Sequence, residues 1–231
     1  MEPLRPNAQR ARIAIIMIWA VMACDIIMMI SSYLEYDLLA SWQAGADFDE
    51  AAATANDARE MVVAVVRTIV FIISAITFIR WFRRAYFNLG KRAANLKESE
   101  GMAAGAWFIP IVNLFKPYRI MVELHERTVE LVANMLPDPD RARSKDHITV
   151  WWVFWVASNI LAQVNVRIAK DAETVDALAN SALFSIVDAA LSIPLAMLAV
   201  NVIKRYSVLE QPLADWKSLP DAFDEAGYRP S

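Results

Sequence analysis

The stretch IAIIMIWAVMACDIIMMISSYL, residues 13–34, decides how this chain is read. It carries one charge, Asp25, and neither glycine nor proline. A helix rises about 1.5 Å per residue, so a run of this length matches the roughly 30 Å hydrocarbon core of a bilayer. Three more runs share its character, at 61–82, 148–169 and 181–203, and only the last contains a proline, Pro194. Inside hydrocarbon every backbone N–H and C=O must find a partner within its own segment, which leaves the helix as the spanning element. The expected fold class is therefore an all-α integral membrane protein, a four-transmembrane-helix bundle. The composition agrees: 57% of 231 residues are apolar and eight are Trp, too apolar for an ordinary soluble domain.

The basic residues set the expected orientation, because loops rich in Lys and Arg stay cytoplasmic. Arg5, Arg10 and Arg12 precede the first run. The connection from Glu35 to Glu60 is acidic and holds only Arg59 as a base, so it is assigned to the outside. Twelve basic residues lie between Arg80 and His147, which belongs inside. The short third connection is net acidic, and the last begins with Lys204 and Arg205. These signs predict N-in, C-in topology in a bacterial inner membrane. The N-terminal arginines could open a signal peptide, but no small-residue cleavage site follows, so the first run is read as a retained helix. The single Cys24 excludes an intramolecular disulfide and a Cys-based metal site.

One domain is expected over residues 1–210, with a cytoplasmic insert at 83–147 and a weakly structured tail at 211–231 that packs at most through Trp216 and Phe223. Within the insert, the apolar run 102–115 is too short to span and is broken by Pro110. It is expected to be re-entrant or interfacial on the cytoplasmic face. After Pro117, the apolar spacing of Ile120, Met121, Leu124, Thr128, Leu131, Val132 and Met135 predicts an amphipathic helix. The acidic residues Glu123, Glu126 and Glu130 are assigned to its solvated face.

The stretches RWFRRAYFNL (80–89) and AWFIPIVNLFKPYRIMVELHERT (106–128) resemble the bacterial membrane-protein family called domain of unknown function 4328. Trp107, Phe108, Ile109, Pro110, Ile111, Asn113, Leu114 and Pro117 carry the resemblance. It implies the layout of two pairs of spans flanking this segment, and it implies no known activity.

Charges within spans cost about 2.5–3.5 kcal/mol each and therefore need partners. Asp25, Arg67 and Asp188 lie well inside three different runs, and together with Gln163 they fall at one level, roughly 20–23 Å from the cytoplasmic side. Asn159, Gln163 and Arg167 form a polar stripe on the third run. Ser181, Ser185, Asp188 and Ser192 form one on the fourth, and Arg67 and Ser74 share a face of the second. Two readings stand: a structural clamp in which Arg67 bridges both aspartates, or a pocket for a cation, a proton or a small polar solute. At the cytoplasmic end, Trp81, Trp107, Trp151, Trp152 and Trp155 read as an interfacial aromatic belt. Tyr86, Asn88 and Asn113 with Arg83, Arg84, Lys91, Arg92 and Lys116 form a candidate groove for anionic lipid head groups or an acidic cytoplasmic protein.

No haem-ligating pair, zincin spacing, phosphate loop or nucleophile elbow is present, and no cofactor, metal or nucleic acid partner is expected. The expected function is that of a non-enzymatic inner-membrane protein acting by binding or assembly through the polar layer and the basic face. The alternative is a small channel or transporter component using Asp25, Arg67 and Asp188, which would require a homo-oligomer to enclose a pathway. A lipid-acting enzyme finds no nucleophile and base pair.

Overall fold

The computed structural model describes residues 3–170 and 172–215. Among these residues there is no strand, and helix dominates: α1 Ala8–Gln43, α2 Glu50–Gly90, α3 Glu100–Gly105, α4 Lys116–Val132, α5 Pro139–Arg143, α6 Asp146–Lys170 and α7 Val175–Asp215. Four helices, those containing the four apolar runs, are long and apolar enough to cross a membrane.

The long helices outrun the apolar stretches, and polar contacts explain why. At the edge of the apolar stretches α1 and α2 are tied together: the Arg59 guanidinium donates to Ser31 Oγ at 3.0 Å and to the Ser31 carbonyl at 3.1 Å, while Ser31 Oγ donates to Glu60 at 2.6 Å, and Leu39 and Asn56 beyond it are buried. The region 35–60, expected as a loop, is thus mostly helix. The chain reverses within 44–49, where Gly45 takes a φ of +96° that a side chain would strain, and Asp49 caps α2 by accepting from the backbone N–H groups of Ala51 and Ala52. At the other end α7 carries Pro194 and Pro212 and continues through Asp215, so the boundary expected at 210 falls inside a helix. The rest of the expected tail, with Trp216 and Phe223, lies outside the described residues.

The long helices pack in the order α2, α1, α7, α6, and α2 and α6 share no comparable packing. Small residues let backbones approach closely. Ala182, Ala189 and Ala196 recur every seven residues on α7, all buried, and Ala11 and Ala14 are buried on α1. Both chain ends come together at one end of this row. Asn88 of α2 donates to the Arg5 carbonyl at 2.9 Å and to Glu210 of α7 at 2.8 Å, and accepts from the Arg5 N–H at 3.1 Å. Asn7 donates to the other Glu210 oxygen at 2.9 Å.

At this same end the aromatic side chains turn inward. Phe78 sits 5.4 Å from Trp81, 5.5 Å from Trp107 and 5.8 Å from Trp151, ring centroid to centroid, and Trp81 is fully buried. These rings are a packed core joining α2, α6 and the segment after α3, so the expected belt is corrected for Trp81, Trp151 and Trp152. Amphipathic α4 docks beside them with Ile120, Met121, Leu124, Thr128 and Val132 buried, and Met135 lies beyond its end. Glu123 departs from the expected solvated face. It is buried, accepting from Tyr86 Oη and from the Lys97 N–H, each at 2.8 Å, whereas Glu126 and Glu130 pair outside with Lys145 and Arg127.

Residues 102–115 form the end of α3, turns and a 3-10 turn at Val112–Leu114. Phe108, Ile109, Ile111, Leu114 and Phe115 are exposed, and Trp152 Nε1 donates to the Leu114 carbonyl at 3.1 Å. Ile111 has a φ of +66°, an unusual conformation for a β-branched residue.

Replacing Asn88 by Ala leaves Glu210 and the Arg5 backbone short of buried partners. It is expected to lower stability by about 1–3 kcal/mol in chemical unfolding of the detergent-solubilised chain. His125 gives a pH prediction. It is buried, its Nε2 lies 2.8 Å from the Ala142 carbonyl, and burial pushes its pKa below the usual imidazole value. The folded state therefore disfavours the proton that an unfolded His takes up near pH ~6.5. Stability is complete above that pH and declines as pH falls below it. Unfolding measured against pH should show this decline flattened in His125→Gln, whose amide can still donate to the same carbonyl.

Candidate functional site

Arg67 and Asp25 form the most buried ion pair among the described residues: Nε donates to Oδ1 at 2.5 Å, with the Asp25 side chain 1% and the Arg67 side chain 33% exposed. Helix geometry places them. Residues 25 of α1 and 67 of α2 face each other across an antiparallel pair whose register is also fixed by Ser31 against Glu60. Asp188, half-buried on α7, lies within electrostatic range of both. Three ionisable side chains from three helices thus converge in the apolar part of the structure. One base faces two acids, so the group carries a formal excess of one negative charge when all are ionised.

The other members expected in this layer do not join it. Asn159 donates back to the Trp155 carbonyl at 2.7 Å, Gln163 to the Asn159 carbonyl at 3.3 Å, and Ser192 to the Ala189 carbonyl at 2.7 Å, each within its own helix. Gln163 is exposed. The link that does join α6 to α7 is one the stripes half revealed. Asn165 donates to Ser185 Oγ at 3.2 Å, a contact signalled by Ser185 but not by the stripe through Asn159 and Gln163.

The candidate groove at the other site is redistributed. Tyr86 and Asn88 are buried in the internal bonds described above. Arg83 pairs with Glu100 at 2.9 Å and Lys116 with Glu98 at 3.1 Å. Arg92 Nε reaches the Leu213 carbonyl at 3.5 Å. Pro110 is exposed in the turn, Asn113 is half-buried there, and Pro117 is buried in the first turn of α4. In place of that groove, the N-terminal segment brings Arg10 and Arg5 to α2. Arg10 Nη1 donates to the Arg80 carbonyl at 3.3 Å, and the Arg5 guanidinium lies 4.2 Å from the centroid of the Phe87 ring, which Arg84 and Lys91 also approach, at 5.9 and 5.1 Å. Among the described residues, no group of His, Cys, Asp and Glu is placed to hold a metal ion.

No curated protein and no solved structure matches the chain. A family model described as a domain of unknown function, DUF4328, matches residues 44–208. The matched region includes Arg67 and Asp188 and excludes Asp25 with the N-terminal arginines. It takes in α2 through α6 and most of α7, well over half of the sequence, and the chain belongs to the DUF4328 family.

Proposed function

We propose that the protein is a non-enzymatic, multi-pass protein of a bacterial inner membrane, with both termini cytoplasmic, acting by binding or assembly through its intramembrane charged centre and its basic cytoplasmic face. The observation that carries this reading is the convergence of Asp25, Arg67 and Asp188. Asp25 and Arg67 neutralise each other at close range, which makes that pair the structural element. Asp188 makes no hydrogen bond of its own among the described residues, and it is the group with binding capacity left over. Its surplus charge favours a cation, a proton or the positively charged group of a partner over an anion.

The exposed segment 107–115 fits the same picture as an interfacial element. Its apolar side chains project at the level of Trp152 on α6, where the apolar stretch 148–169 begins. Lipid is the solvent that makes such exposure favourable.

A second reading, a small cation or proton channel or transporter component, is favoured by one feature. Apart from the ring contact of Phe78 with Trp151, α2 and α6 share no extended packing, and Arg67 remains a third exposed. Four helices in an open row would need a second copy to close a pathway.

The two aspartates separate structure from binding. Asp25→Asn leaves the Arg67 charge without its close partner and is expected to destabilise the fold by about 3–5 kcal/mol. Asp188→Asn should leave stability within about 1 kcal/mol, because it removes only a surplus charge. It should also abolish any stabilisation of the nanodisc-embedded protein by added monovalent or divalent cations. Equal destabilisation by both substitutions, with no cation effect in the wild type, removes the binding role and leaves a clamp.

A further inference from the structure

The positive-inside tendency requires basic residues near the inner boundary, but it does not require them to converge. Here they do. Arg80, Arg84, Phe87 and Lys91 fall at helical spacing on one face of α2, and the N-terminal segment lies along that face, with Arg10 held on the Arg80 carbonyl and Arg5 on Phe87. The charges that act on Arg10 are those of Arg84, Arg80 and Arg83. Arg83 is paired with Glu100, and Arg84 lies near Glu210, whose two oxygens are already taken by Asn7 and Asn88. Among the described residues, Arg10 and Arg80 have no carboxylate partner. Like charges gathered from two elements repel, and the arrangement is favourable only beside an anion.

Position decides which anion. Arg10 precedes the apolar stretch 13–34 by three residues, and Arg80 lies at the end of 61–82. Arg84 stands about 6 Å further along the axis. That depth is the head-group layer, which occupies roughly 5–8 Å on each side of the hydrocarbon. Guanidinium groups match phosphate oxygens in planar, two-pronged hydrogen bonds.

We propose that Arg10, Arg80 and Arg84 form a site for the phosphate head group of an anionic phospholipid in the leaflet at the terminal end of the bundle. This rests on the reading of the basic face above and is independent of the intramembrane charges.

The test uses the full chain purified in neutral detergent and placed in nanodiscs of phosphatidylcholine with or without phosphatidylglycerol. Readouts are thermal unfolding and the lipid retained in native mass spectrometry. The wild type and the double variant Arg119→Gln, Arg141→Gln, an equal charge change elsewhere on the insert, are expected to retain phosphatidylglycerol and to gain thermal stability from it. The double variant Arg10→Gln, Arg84→Gln is expected to lose at least tenfold in phosphatidylglycerol affinity while unfolding like the wild type in phosphatidylcholine. If the double variant fails to fold, Arg80→Gln serves instead, since among the described residues its guanidinium makes no hydrogen bond and its substitution should also lower retention. Equal retention by variant and wild type, or an equal loss in the Arg119→Gln, Arg141→Gln variant, overturns the site. Displacement of the lipid by millimolar inorganic phosphate, with equal stabilisation, assigns the site to a soluble phosphate and overturns the lipid. Preference for a poly-glutamate peptide over phosphatidylglycerol, lost in the same variant, overturns the lipid while sparing the basic-face reading. Binding of neither probe defeats both.

Discussion

A carboxylate with 1% of its side chain exposed, set in the middle of an apolar helix, persists only because a guanidinium from the neighbouring helix lies against it. The Asp25–Arg67 pair fixes the register of α1 against α2, since sliding either helix by a turn would leave two opposite charges stranded in hydrocarbon. Everything packed on α1 inherits that register. The α7 helix lies along α1 with its alanine face inward, α6 lies along α7, and Asp188 comes within range of the pair as a result.

At the terminal end the constraint changes character. There the helices are held by a small set of hydrogen-bonded polar groups, with Asn88 and Glu210 at the centre, and by interlocked aromatic rings around Phe78. The middle and the terminal end of the fold are therefore stabilised by different physics, ionic inside the apolar region and hydrogen-bonded with aromatic packing at its edge. The insert between α2 and α6 is anchored only to the second. Tyr86, Glu123 and the backbone before α3 tie α4 to α2, and Trp152 holds the turn before α4 against α6.

The four long helices were legible because an apolar run of about 20 residues has few alternatives, and Asp25, Arg67 and Asp188 were legible because charge inside such a run must be answered. Helix ends were not, because polar side chains such as Ser31, Asn56 and Arg59 extend pairing past the apolar boundary without any hydropathy signal. Asn159 and Gln163 were misplaced because an amide on a helix can satisfy itself on the carbonyl one turn back, which periodicity does not distinguish from an inward contact. The Asn7, Asn88 and Glu210 cluster joins residues more than a hundred positions apart, beyond the reach of local pattern. The tryptophans at the terminal end of the bundle read as an interfacial belt from the sequence because indole preference for interfaces is a statistical rule about lipid contact. Here three segments converge and cover the rings.

Ile111 shows what the solvent contributes to this architecture. A β-branched residue at a φ of +66° is held against its own backbone preference, and its side chain is largely exposed. The short backbone bonds on either side, Val112 to Pro110 at 2.7 Å and Leu114 to Ile111 at 3.0 Å, hold the turn shut. In the interfacial placement proposed above, acyl chains would take its outward apolar side chains out of water. The turn is thus conditionally stable: its geometry is a liability in an aqueous medium and an anchor in an oily one, so removal from lipid should loosen this segment before any of the long helices.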